Sequence, residues 1–121
     1  MSVMSVAGIS DGTTQALHQA INGLDARQQA ISANITNLET PGYRARSVNF
    51  EDSLREALTA GEPSDMSVSV TESLAATRSN GNNVNIDFEL LAEKENVLRQ
   101  RLVVQAINAK YSPLRTAITG Q

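Results

Sequence analysis

Leu17, Leu24, Ile31 and Leu38 recur every seven residues along the first third of the chain, and Ile21 and Ile35 fall four residues after members of that series. Apolar residues at the a and d positions of a heptad stay on one side of a helix as it winds, so this stripe marks a helix built to pair. The expected helix runs from about residue 12 to residue 38. Ser10 or Asp11 can cap it, because either side chain can accept from the free amides of the first turn. Gln28 sits at an a position where a further apolar residue would be expected; a polar residue there weakens the seam but helps to fix its register. Gly23 lies inside the helix at a cost of about 1 kcal/mol relative to Ala. It is read as a tolerated surface glycine, with a close helix contact as the alternative. Residues 1–10 are small and weakly apolar without caps or period, which predicts disorder in an isolated monomer.

A second stripe runs through Leu90, Val97, Val104, Ile107, Tyr111, Leu114 and Ile118, again near a/d spacing, and Leu91, Leu98 and Leu102 broaden its first half. This predicts a helix starting near Asn85 or Asp87, with an apolar face wide enough to touch more than one partner. Asp87, Glu89, Glu93 and Glu95 come early in it, and Arg99, Arg101, Lys110 and Arg115 come late, an order that complements the helix dipole. Pro113 removes an amide donor and crowds the preceding turn, so a kink or an end is expected between Ala109 and Pro113.

Between the stripes the periodicity breaks. Ala33 to Arg46 ends the first helix with Asn34 and Asn37, poor helix formers whose amides can satisfy loose backbone groups. Pro41-Gly42 then predicts a type II turn, because proline pushes Thr40 out of the α region and glycine can take a positive φ. Tyr43, Arg44 and Arg46 follow. Tyr43 is equally suited to packing within the chain and to a subunit contact, and the arginines are read as solvated. From 49 to 60 a short helix is expected, with Asn49 as cap, Asp52 in the first turn, Phe50, Leu54 and Leu58 on one face and Gly61 as the stop. Glu62 to Asp65 is expected to form a turn or linker. Met66 to Thr71 alternates apolar and polar, as a strand with one covered face does. Thr77 to Asn83, rich in Ser, Asn and Gly, is expected to stay mobile unless a partner orders it.

The fold class that follows is mainly α: long N- and C-terminal helices packed as an antiparallel coiled-coil hairpin, with a partly extended, loop-rich middle segment. The organisation is 1–40 for the N-terminal start and helix, 41–84 for a poorly packed middle whose shape depends on assembly, and 85–121 for the C-terminal helix, together one domain. A helix pair has too little interior to bury both stripes. The leftover apolar surface is expected to go to neighbouring copies, and the free monomer is expected to be marginally stable.

Composition narrows the function. With 121 residues and aromatic content of 3%, the chain supports one domain carried by aliphatic side chains. A formal net charge of -3 offers no basic field for nucleic-acid phosphates. The absence of cysteine removes disulfides, thiolate metal sites and thiol chemistry. No apolar run reaches the length of a membrane span, and residues 1–10 lack the basic start and apolar centre of a cleavable signal. Candidate chemistry is sparse. His18 falls on the polar side of the first helix, and no nucleophile motif or phosphate loop accompanies it. Glu89, Glu93 and Glu95 sit on one acidic turn and are read as solvated charge, since a hard-cation site needs converging oxygens from a shaped loop. Arg27 with Asp25 and Arg55 with Glu51 are read as helix-surface charges of small weight. No catalytic residue, metal ligand, cofactor site or small-molecule substrate is indicated.

The run Ala33-Asn34-Ile35-Thr36-Asn37-Leu38-Glu39-Thr40-Pro41-Gly42-Tyr43, at the end of a long amphipathic helix with basic residues just after it, resembles the N-terminal signature of the bacterial flagellar axial proteins. These include rod, hook and hook-junction components. Gly81 to Glu89, followed by a helix closing on Leu114 to Gly120, narrows the resemblance to the proximal-rod members, and the two blocks cover roughly two thirds of the chain. The resemblance implies a structural subunit of the basal body that polymerises into a hollow drive shaft transmitting torque. It implies contacts with copies of itself, with other rod proteins and with the membrane-ring and export-gate end. It also implies a periplasmic rod location, reached through the flagellum's own type III apparatus without a cleaved signal peptide. In the family the segment around Asn34, Asn37, Thr40 and Tyr43 fixes the helix exit and touches neighbouring subunits. A soluble helical binding module, such as a secretion adaptor or chaperone, is the alternative.

Overall fold

The computed structural model describes residues 11–119, with side-chain surroundings given for residues 12–109. The expectation of disorder for residues 1–10, and Ser10 as a cap, lie outside that range, as do the side chains of Lys110, Tyr111, Leu114, Arg115 and Ile118. The first helix, α1, spans Asp11–Thr36. Strand β1 follows at Arg46–Asn49, helix α2 at Glu51–Thr59, a 3₁₀ turn at Pro63–Asp65, strand β2 at Ser69–Glu72, and the long helix α3 at Ile86–Thr119. The protein is mainly helical, with a small two-stranded sheet between its long helices. Helix α3 continues through Pro113, so the proline does not end it.

The core gathers where α1, β1, α2 and α3 meet. Leu24, Val48 and Phe50 are its buried centre, and Ala30, Leu54, Met66 and Val103 pack around them. Full burial of an aliphatic or aromatic side chain contributes about 1.5–3 kcal/mol, so these three carry much of the subunit's apolar stabilisation. Gly23 corrects the surface-glycine expectation. It is buried, and a Cβ there would overlap the ring of Phe50, so the glycine exists to let that ring lie against α1. The close contact is with an aromatic ring rather than with a second helix.

Between the long helices, Gln100 Nε2 donates to Asp25 Oδ1 (3.1 Å), Asn96 Nδ2 to the Leu24 carbonyl and Gln28 Oε1 (3.0 Å each), and Gln28 Nε2 to Glu93 Oε1 (3.3 Å). Gln28 thus joins the two helices at one level, the register role its polar character suggested. Asp25 has no part with Arg27. Arg27 instead pairs with Glu51, donates to the Val48 carbonyl (2.9 Å) and lies 4.9 Å from the centroid of Phe50. Arg55 pairs with Asp52 rather than Glu51.

The middle segment departs most from its sequence reading. Helix α2 begins after Phe50, which makes no capping bond, and Asn49 lies in β1 rather than at a cap. Its inward face is Phe50, Leu54 and Ala57, with Leu58 left exposed. Gly61 stops it as expected: at φ 76° it donates to the Leu58 carbonyl while Glu62 N reaches Ala57 O at 2.8 Å, a Schellman arrangement. The alternating strand forms later than expected, at Ser69–Glu72, and all four of its residues are exposed rather than covered on one face. It pairs antiparallel with β1, Arg46 opposite Glu72 and Val48 opposite Val70. Val48, Phe50, Ala57, Pro63 and Val84 are all buried, so residues 41–84 are part of the core and not a poorly packed insertion.

Candidate functional site

The two sequence blocks that carry the axial-protein resemblance are hydrogen-bonded to each other. Pro41-Gly42 makes the expected turn, with Gly42 at φ 76° and Tyr43 N donating to the Thr40 carbonyl at 3.2 Å. Gly42 N in turn donates to the Asn80 carbonyl (2.8 Å). Gly81 rests against the Gly42 backbone so closely that a Cβ on it would stand 3.2 Å from Gly42 Cα. Small residues in both turns let the two loops meet backbone to backbone.

Asn82 fills the space behind them and is fully buried. Its amide nitrogen donates to the carbonyls of Asn37 (2.9 Å) and Thr40 (2.8 Å), and its oxygen accepts from Val84 N and Arg78 Nη2 (2.8 Å each). Those carbonyls lie in the turn just past the end of α1, where each also accepts a main-chain amide, Asn37 O from Thr40 N and Thr40 O from Tyr43 N. Arg78 adds bonds from Nη2 to the Leu38 carbonyl (2.6 Å) and from Nη1 to the Val84 carbonyl (2.7 Å). Asn83 donates to the carbonyls of Ser73 (3.1 Å) and Ala75 (3.2 Å) and accepts from Ala45 N at 2.7 Å. The stretch Thr77 to Asn83, expected to wait for a partner, is instead ordered by its own chain.

Asn34 does more than help end a helix. Buried on α1, it takes both main-chain groups of Arg46, accepting from its N–H at 2.9 Å and donating to its carbonyl at 2.8 Å, as a neighbouring strand would. The Tyr43 hydroxyl donates to the same Asn34 oxygen (3.1 Å), so Tyr43 packs within the chain, with Arg46 5.7 Å from its ring centroid. Asn37 closes the helix by donating to the Ala33 carbonyl and accepting from Thr40 Oγ1. Glu89 corrects the solvated-charge reading: it is buried, and loss of solvent raises its carboxyl above the usual value, while a hydrogen bond from Asn34 pulls the other way.

The seam residues divide sharply. Leu24 and Ile31 are buried on α1, with Leu17, Ile21, Ile35 and Leu38 partly so. On α3, Val97 and Ile107 are partly buried, but Leu90 and Val104 are exposed. So are Phe88, Leu91, Leu98 and Leu102, each more than half accessible. Phe88, Leu91, Leu98 and Leu102 fall at three- and seven-residue steps with a four-residue step between the last two, so they lie on one outward-facing side of the helix.

The arrangement has little means for chemistry. Among the described residues no group of three or more His, Cys, Asp or Glu could hold a metal ion, and no helix is long and apolar enough to cross a membrane. A cavity of about 260 Å³ between α1, β1 and α3 is lined by Arg27, Arg46, Glu89 and Arg99 but by no histidine to serve a nucleophile. The residues that sequence reasoning missed are Arg78, Asn82, Asn83 and Asn96. The signal for Asn82 and Asn83 was present as an asparagine-rich run at 80–83, but composition alone marks such a run as loop.

The chain matches no protein-family model. It is 30% identical over 122 residues to the flagellar basal body rod protein FlgB of Bacillus subtilis (strain 168), covering 90% of this chain and 95% of that relative. The FlgB of Aeromonas hydrophila is 29% identical over 87% of this chain and 92% of its own length. That of Borreliella burgdorferi is 26% identical over 78% and 85%.

Proposed function

The chain belongs to the family of the flagellar basal body rod protein FlgB, and on that premise we propose that it is a subunit of the proximal rod, whose terminal helices assemble with neighbours into a hollow shaft. It is a structural component and not an enzyme, and the adaptor or chaperone alternative is not favoured by its relatives.

The observation that carries this reading is the exposed row Phe88, Leu91, Leu98 and Leu102 on α3. An isolated soluble subunit gains nothing from holding four large apolar side chains in water; a repeating assembly buries them in the next copy. The pairing of positions along α1 and α3 supports an antiparallel hairpin, because Asp25 meets Gln100, Leu24 meets Asn96 and Gln28 meets Glu93. As the α1 number rises the α3 number falls. On this reading Leu17, Ile21, Leu24, Ile31, Ile35, Leu38, Val97 and Ile107 hold the hairpin, and Leu90, Val104, Tyr111, Leu114 and Ile118 extend its outer contacts. The partners are other rod proteins, copies of this chain and the membrane-ring end of the basal body, which the chain reaches through the flagellar export apparatus.

Deletion of the gene from its own bacterium tests the proposal, followed by imaging of basal bodies and a swimming assay. The expected result is loss of rods and of motility, both restored by the full chain. Rods and swimming that persist without the protein would contradict it.

A further inference from the structure

The two edges of the small sheet are treated differently. Strand β1 and strand β2 are in register with Ser47 opposite Thr71 and Asn49 opposite Ser69. Ser73 N donates to the Ala45 carbonyl, so the pairs 45/73, 47/71 and 49/69 exchange the ladder bonds. The main-chain groups of Arg46 and Val48 therefore point away from β2, and α1 takes them up: Asn34 binds both groups of Arg46, and Arg27 binds the Val48 carbonyl. By the same parity, the main-chain groups of Val70 and Glu72 point away from β1. Nothing in the described chain meets them.

The side chains on this edge are also unfinished. Val70 shares its sheet face with Val48, yet Val48 is 4% exposed and Val70 58%. Val68 and Leu74 flank it, Leu74 at 95% exposure. The opposite face of the sheet is polar and self-bonded, with Ser47 and Thr71 hydroxyls 3.1 Å apart. Helix α1 covers the apolar face under β1 and stops short of β2. Natural edges are usually guarded by lysine, proline or a bulge; this one carries a single charge, Glu72.

A row of free N–H and C=O groups beside an apolar shelf is satisfied fully only by another extended backbone. We propose that the edge of β2 pairs antiparallel with β2 of a second copy, making a four-stranded sheet in the order β1, β2, partner β2, partner β1. Among the described residues β2 is the one strand with an open edge, so a second copy offers the same edge and nothing else of that kind. The register with Thr71 on the two-fold axis sets Val70 opposite the second copy's Glu72 and Val68 opposite its Leu74. Apolar side chains then meet, and the two carboxylates do not face each other. This contact closes at two copies, whereas a rod needs contacts that repeat, so it belongs to the free subunit and is independent of the α3 row.

The absence of cysteine makes a clean test available. Thr71→Cys places two sulfurs at a non-hydrogen-bonded antiparallel pair, about 4.5 Å between Cα atoms, within disulfide reach. Sedimentation of the full chain over rising concentration, with mild oxidation of Thr71→Cys and of the exposed control Ser64→Cys, should show a reversible dimer and a disulfide-linked dimer for Thr71→Cys alone. Val70→Pro removes an amide that makes no bond to β1 and should weaken dimerisation by at least about tenfold with the circular dichroism unchanged. Val70→Glu, which leaves the backbone intact and sets a carboxylate opposite the second copy's Glu72, should also weaken dimerisation and serves if the proline variant fails to fold. A chain that stays monomeric throughout, a Ser64→Cys that crosslinks as readily as Thr71→Cys, or a Val70→Glu that dimerises like the wild type would overturn the proposal.

Discussion

The loop junction and the outer face of α3 invert the usual distribution of side chains in opposite senses. At the junction Asn34, Asn82 and Asn83 are buried, and on α3 four large apolar side chains stand in water. The buried asparagines are satisfied from both ends of their amides, so their burial costs little and fixes one geometry for the exit of α1. The exposed leucines satisfy nothing within the subunit. The difference separates what the chain finishes for itself from what it leaves for neighbours: polar residues inside mark a completed junction, and apolar residues outside mark an unfinished one.

The largest expected effect breaks the finished side. Asn82→Ala takes one of two hydrogen bonds from each of the carbonyls of Asn37 and Thr40, leaves the amide of Val84 without its partner and removes one bond of Arg78, in a site without solvent. The unpaired amide costs about 1–3 kcal/mol and each of the three other lost bonds about 0.5–1.5 kcal/mol, so a loss of about 3 kcal/mol or more is expected in urea denaturation, a large share of a small domain's stability. A loss under about 1 kcal/mol would mean that the junction does not hold the fold.

Gly23→Ala comes next. In an exposed helix that change would stabilise by about 1 kcal/mol. Here the added methyl overlaps the Phe50 ring, and overpacking of this kind costs about 1–3 kcal/mol. The sign of the change in thermal midpoint therefore decides whether Phe50 rests on α1.

Most of the helical frame was legible in the sequence because heptad spacing is a local property, and Pro41-Gly42 and Gly61 announced their turns through backbone chemistry. Strand β1 was not legible. Arg46 to Asn49 has no alternation to mark it, and it is a strand because Asn34 and β2, distant in sequence, meet its main chain on two sides. The asparagine run at 80–83 failed for the same reason: whether such residues are solvated or buried depends on which carbonyls arrive from elsewhere, here the end of α1. Glu89 looked like one of three helix-surface acids, and only its neighbours distinguish it.

A smaller effect follows from Glu89. Burial raises its carboxyl above the unfolded value, so the folded state holds the proton more tightly. That contribution to stability is complete below the unfolded pKa and is lost as pH rises through the folded one. Glu89→Gln should remove the loss, leaving the variant more stable than the wild type at neutral pH with the gap closing toward acid. Parallel pH profiles for the two proteins would show that the carboxyl is not held this way.

The smallest effect on the isolated subunit is expected on the unfinished side, and it is also the most direct test. The triple variant Leu91→Gln, Leu98→Gln, Leu102→Gln alters side chains that the folded subunit leaves in water, and each should change its stability by no more than about 0.5 kcal/mol. The measurement is whether this variant, shown by circular dichroism and thermal melting to fold like the wild type, restores rods in cells lacking the protein. The α3 face as the assembly surface predicts a stable subunit that builds no rod; normal rods from the triple variant would contradict it.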